Sequence, residues 1–191
     1  MGLRSIYGNY RLTRWQRRLE TSPLAFPQVL LDTTAILVCL PSGLRELTLV
    51  KEFLPELKSS FRSAAVALLA PPGVRINDIY PRKGYQILSP SADQTTWAGL
   101  PSKSYLQTLH DHKFDLVIDL TLGHSPFTRG VLLGHPQAVR VGKGNHLGRP
   151  YYNLEIKTKF LRDERNIYRT LVETLTSMKA IAARAAAASL N

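Results

Sequence analysis

Phe114-Asp115-Leu116-Val117-Ile118-Asp119-Leu120 is the clearest strand in the chain, an apolar centre with an aspartate at either end. A run that is apolar on both faces belongs to a strand covered from both sides, which implies a parallel sheet between helices. Reading back from it, Ser102 can cap a helix that carries Tyr105, Leu106 and Leu109. Residues 71–101 are rich in Pro, Gly, Ser and Asp and read as irregular connection, with one short strand over 85–88. Two further apolar runs precede this segment: 64–70, closed by Pro71-Pro72-Gly73, and 35–40, closed by Pro41-Ser42-Gly43. Between them Leu47, Val50, Leu54, Leu57 and Phe61 form one helical stripe, which Pro55 is expected to divide into two pieces.

Reading forward, Ser125-Pro126, then Phe127, Val131 and Leu132, then Gly134 supply an N-cap, a first-turn proline, a helix body and a terminal glycine in order. Residues 138–142 are a further strand candidate and 152–156 a weaker one. Tyr168, Leu171, Leu175 and Met178 form another helical stripe, leading into alanine-rich residues 180–188, either helix continuation or a fraying tail. At the other end, Leu12, Trp15 and Leu19 mark a short amphipathic helix over 7–20, with arginines between them and Pro23 and Pro27 after it. Alternating strands and helices of this kind predict an α/β fold: a three-layer Rossmann-like domain with a mostly parallel, doubly wound sheet. The expected organisation is a basic N-terminal arm (1–33), one domain (34–178) and an alanine-rich tail (179–191).

Composition fits a folded domain, since 44% of the 191 residues are hydrophobic and 20% charged. Cys39 is the one cysteine, so an intrachain disulfide framework and cysteine-based zinc clusters are excluded. No apolar stretch approaches the roughly 20 residues of a spanning helix, and the N-terminus lacks the apolar segment of a secretory signal. A cytoplasmic protein, peripheral at most to the inner face of a membrane, is expected. The net charge of +11 is concentrated in two segments. Residues 1–20 carry five arginines against Glu20 (+4), and residues 137–169 carry eight basic groups against three acidic ones (+5). Such local excess fits either a solvated face with no specific partner or an electrostatic docking surface for an anionic one. Arg14, Trp15, Arg17 and Arg18 are the candidate docking residues.

In doubly wound sheets ligands bind beyond the carboxyl ends of the strands, which singles out three loops. The first offers Ser42 and Gly43 at a helix start, although its single glycine is no nucleotide-binding fingerprint. The second gathers Asp119, Thr121, His124 and Ser125, where a carboxylate and an imidazole suit sugar hydroxyls or phosphate. The third, 142–149, is flexible and basic, with Lys143 the candidate anion contact. No G-x-S-x-G elbow, H-E-x-x-H pair or aromatic-basic RNA motif occurs, so nucleic acid is the less favoured partner and neither metal nor cofactor is expected.

The succession of Ile36-Leu37-Val38-Cys39-Leu40-Pro41-Ser42-Gly43-Leu44-Arg45-Glu46, the strand at 114–120 and Ala138-Val139-Arg140-Val141-Gly142 resembles the N-terminal, acceptor-side half of the ADP-heptose lipopolysaccharide heptosyltransferases. Those enzymes are two-domain bacterial glycosyltransferases of GT-B fold. The resemblance implies a Gly-Asp pair in the first loop whose aspartate acts as base; Arg45-Glu46 stands there instead, with Glu46 the only candidate base. It also implies a donor-binding second domain, for which 191 residues leave no room. The expectation is therefore a degenerate, non-catalytic binding or scaffolding protein that docks a protein partner, a larger assembly or an anionic surface. The alternative is the acceptor-binding half of a split glycosyltransferase, served by a separate nucleotide-sugar domain.

Overall fold

A computed structural model describes residues 2–17, 19, 26–80 and 84–188. Six strands form one sheet: β1 (Ala35–Cys39), β2 (Ala65–Leu69), β3 (Gln86–Leu88), β4 (Leu116–Asp119), β5 (Val139–Lys143) and β6 (Leu154–Ile156). All pairs are parallel and the order is β3-β2-β1-β4-β5-β6, the Rossmann order with its reversal between β1 and β4. Five helices flank the sheet: α1 (Leu3–Gln16), α2 (Leu44–Ser60), α3 (Lys103–Asp111), α4 (Pro126–Gly134) and α5 (Glu164–Ala188).

The alternation of strand side chains makes two cores. Ile36, Val38, Leu116 and Ile118 point to the face covered by α2 and α5, whereas Leu37, Cys39 and Val117 point to the face covered by α1, α3 and α4. The apolar runs are thus strands covered on both sides, which is why they show no polar alternation. The two aspartates bounding β4 have separate duties. Asp115 Oδ2 accepts from the Thr34 N–H and hydroxyl, both at 2.8 Å, and from the Ala35 N–H at 3.0 Å, tying the start of β1 to β4. Asp119, 1% exposed, ends β4 at the opposite edge.

Two details differ from the sequence reading, and a third settles an alternative that it left open. α2 is a single helix with Pro55 inside it, not two pieces. Pro55 is exposed, so the carbonyl it leaves unbonded can face water while Leu47, Val50, Leu54 and Leu57 hold both halves on the sheet. The first helix starts four residues earlier than its Leu12-Trp15-Leu19 stripe suggests and stops at Gln16, before the prolines. The alanine-rich segment through Ala188 continues α5, with Ala182 buried.

Candidate functional site

The reversal of strand order leaves a crevice beyond the carboxyl ends of β1 and β4, about 320 Å³ in volume. Ser42 and Glu46 form one wall, His124 and Ser125 the opposite one, and Arg4 reaches in from α1. With Thr121, which also lines it, five of the sequence-selected residues therefore converge. Ser125 accepts from the Thr128 N–H at 3.1 Å and caps α4, which begins with Pro126, so it shapes the wall by closing a helix end. Glu46 folds back to accept the Gly43 N–H at 3.2 Å. A Cβ on Gly43 would lie 2.6 Å from that carboxylate oxygen, so Gly43 makes the fold-back of Glu46 feasible. Arg45 points elsewhere, 3.6 Å from Glu164 at the start of α5.

Asp119 is adjacent in sequence to the crevice loop but does not line it. Its Oδ1 accepts from the Thr121 N–H at 2.8 Å and hydroxyl at 2.6 Å, and its Oδ2 accepts from the Tyr152 hydroxyl at 2.6 Å. Tyr152 reaches it by passing Gly142, where any Cβ would fall inside the tyrosine ring. Burial raises the Asp119 carboxyl above the ordinary aspartate range, against the lowering pull of these donors and of Arg129. Cys39, on the neighbouring strand, is raised by burial and then by Asp119, which leaves it a thiol rather than a nucleophile.

Beside the crevice, across β4 and β5, the basic residues meet. Arg129 Nη2 lies 2.6 Å from His124 Nδ1. Arginine can only donate, so His124 is the acceptor, in the neutral form with its proton on Nε2. The His124 and His146 rings stack at 6.1 Å, and the Arg129 guanidinium sits 5.8 Å over the Tyr151 ring. Burial lowers the His146 proton affinity, and the cations Arg129 and Lys143 lower it further, against a hydrogen bond to the Gly123 backbone. Lys143, at the end of β5, acts on His146 through its charge and does not line the crevice. The sequence reading missed Arg129, although its position five residues after His124, within the next helix, was a local signal. Arg4, brought in from α1, gave none.

A second surface lies on α1. Its inner face packs on the domain through Gly8 and Leu12, both buried, and through half-buried Trp15, which meets Gly134 of α4. Its outer face exposes Leu3 (82%), Ile6 (55%) and Tyr10 (61%), with Tyr7 (39%) stacked on the more exposed Trp97 at 5.1 Å. Arg11 donates to the Tyr7 hydroxyl at 3.3 Å. Arg14 and Arg17 are exposed along the same helix, whereas Arg18 lies outside the described residues. Between α1 and Trp97 runs a groove of about 310 Å³, floored by Leu100 and Pro101.

Comparison with family models, curated proteins and solved structures returns no match. The heptosyltransferase resemblance therefore rests on the quoted residues alone.

Proposed function

We propose that this protein is a non-catalytic binding protein that docks an anionic membrane surface through the outer face of α1. The observation that carries this reading is the stripe Leu3, Ile6, Tyr7 and Tyr10, exposed on a helix whose charged residues are all arginines: Arg4, Arg11 and Arg14. An interfacial helix combines an apolar face that enters the headgroup boundary with cations that meet anionic lipid. Tyrosine and tryptophan suit that boundary because each has an apolar body and a polar edge. Among the described residues no helix is long and apolar enough to cross a membrane, and the attachment proposed is peripheral. On this reading the protein sits on the inner face, where anionic lipid is concentrated. The non-catalytic part is supported by Glu46, whose carboxylate is engaged with the Gly43 N–H, and by the burial of Asp119 and Cys39.

Co-sedimentation with phosphatidylserine-containing vesicles tests the proposal. Binding that weakens as salt rises and is lost in the Ile6→Glu/Tyr10→Glu variant is expected. Equal recovery of wild type and variant, or no binding at low salt, would overturn it.

Glu46 in the crevice wall, across from His124, favours one second reading: the acceptor-binding half of a split glycosyltransferase. Glu46 would take the proton of an acceptor hydroxyl as that oxygen bonds to the donor sugar and the nucleoside diphosphate leaves. It requires donor-dependent transfer in the presence of a nucleotide-sugar-binding partner, abolished by Glu46→Gln.

A further inference from the structure

The two clusters of polar side chains at the carboxyl edge of the sheet differ in how completely they are paired. Asp119 is closed on itself by Thr121 and Tyr152. The neighbouring basic cluster is not. Arg129 Nε and His146 Nε2 are both buried without a hydrogen-bond partner. Orphaned buried polar atoms are uncommon and costly; the Arg129 Nε–H lacks an acceptor, and His146 Nε2 gains a partner from the same acceptor once it takes up a proton, so both are met by one anionic ligand.

The charge balance says which kind. His124 stacks on His146, and the groups that act on it electrostatically, His124, Arg129 and Lys143, are all basic. Asp119, the carboxylate that acts on Arg129, has its oxygens taken by three donors and its ionisation opposed by burial. Glu155 on β6 accepts the Asn145 N–H at 3.4 Å. Among the described residues, no salt bridge joins Arg129, His124, His146 or Lys143 to a carboxylate. His124 belongs to both places: its Nδ1 takes the Arg129 hydrogen, leaving Nε2–H as the ring's remaining donor, and the residue lines the crevice. Arg4 adds a cation on the same crevice.

We infer that the cluster of Arg129, His124, His146 and Lys143 is a binding site for a phosphate group, carried by a small ligand whose body occupies the crevice between Ser42 and Ser125. Phosphate has enough acceptor oxygens to meet a planar guanidinium, an imidazole donor and an ammonium together. An anion there also reverses the penalty on His146, because protonating Nε2 then creates a hydrogen bond instead of a buried unpaired charge. The site shares Arg4 with α1 but none of Leu3, Ile6, Tyr7 and Tyr10, and its ligand is a solute rather than a lipid headgroup.

Titration of the full chain with inorganic phosphate, read by calorimetry and by the imidazole resonances, tests the site. The expected result is saturable one-site binding, with the His146 resonance titrating at higher pH in the presence of phosphate. Arg129→Gln should weaken binding by roughly tenfold or more, the loss of a charge-assisted contact. His124→Ala, at an exposed position, and Lys143→Gln should each weaken it severalfold and serve if Arg129→Gln does not fold. Binding of the Arg129→Gln and His124→Ala variants to anionic vesicles should stay at the wild-type level. Absence of saturable phosphate binding, affinity unchanged in the folded variants, or loss of vesicle binding together with phosphate binding would overturn the inference.

Discussion

The two faces of α1 are built from the same kinds of side chain at the same helical spacing, yet one is covered and the other is not. Gly8, Leu12 and Trp15 rest on α4 and on Ala98, and a Cβ at Gly8 would be a tight fit, 3.2 Å from the Ala98 carbonyl oxygen. Leu3, Ile6 and Tyr10 face outward. The inner face holds the helix on the domain, whereas on the outer face Tyr7 stacks on Trp97 and Leu3, Ile6 and Tyr10 are left exposed. Apolar area left exposed beside cations is the part of the helix available to a partner. The same contrast recurs at the carboxyl edge of the sheet, where Asp119 has all its partners and the Arg129–His146 cluster lacks two.

Substitutions can sharpen or break this contrast. Leu12→Ala should have the largest effect on stability, about 2–4 kcal/mol, because it removes a side chain that is 2% exposed and leaves a cavity. Chemical denaturation measures it, and a loss near zero would show that the inner face is not a core. Tyr152→Phe should cost about 1–3 kcal/mol near neutral pH by leaving a buried acceptor on Asp119 short of a donor. Asp119→Asn should change the pH dependence. The folded-state pKa of Asp119 is raised, so ionising it costs more in the folded than in the unfolded chain. Its contribution is therefore fully present below the unfolded value of about 4 and is lost as pH rises through the raised folded value. The asparagine variant should lack that decline, seen as a flatter profile of thermal midpoint against pH. Ile6→Glu should move stability by no more than about 0.5 kcal/mol, as surface changes do, while abolishing vesicle binding. A variant that unfolds instead would mean that the outer face supports the fold.

The apolar runs at 35–40, 64–70 and 114–120 were legible because strands covered on both faces read as unbroken apolar stretches. Helix caps at Ser102 and Ser125 were legible as local chemistry, each accepting an N–H three residues on. Pro55 misled because local preference was outweighed by the buried stripe around it. The early start of α1 was hidden since Leu3, Ile6 and Tyr10 meet no core, and the reading followed the stripe that does. In the crevice, Ser42, His124 and Ser125 followed from the rule for doubly wound sheets, and Glu46 from the family resemblance. Arg4 depended on the docking of a distant helix, and the pairing of His124 with His146 on β5 following β4 in the sheet. Neither is written in spacing.

Trp97 reports most directly on the central claim, that the outer face of α1 enters an anionic lipid surface. The chain has two tryptophans, and Trp15→Phe leaves Trp97 as the sole fluorophore beside Tyr7. Adding vesicles that contain phosphatidylserine should shift its emission to shorter wavelength and expose it to quenching by brominated lipid chains, both reversed by salt. An emission spectrum unchanged at saturating anionic vesicles, in a variant that is folded, would contradict the account.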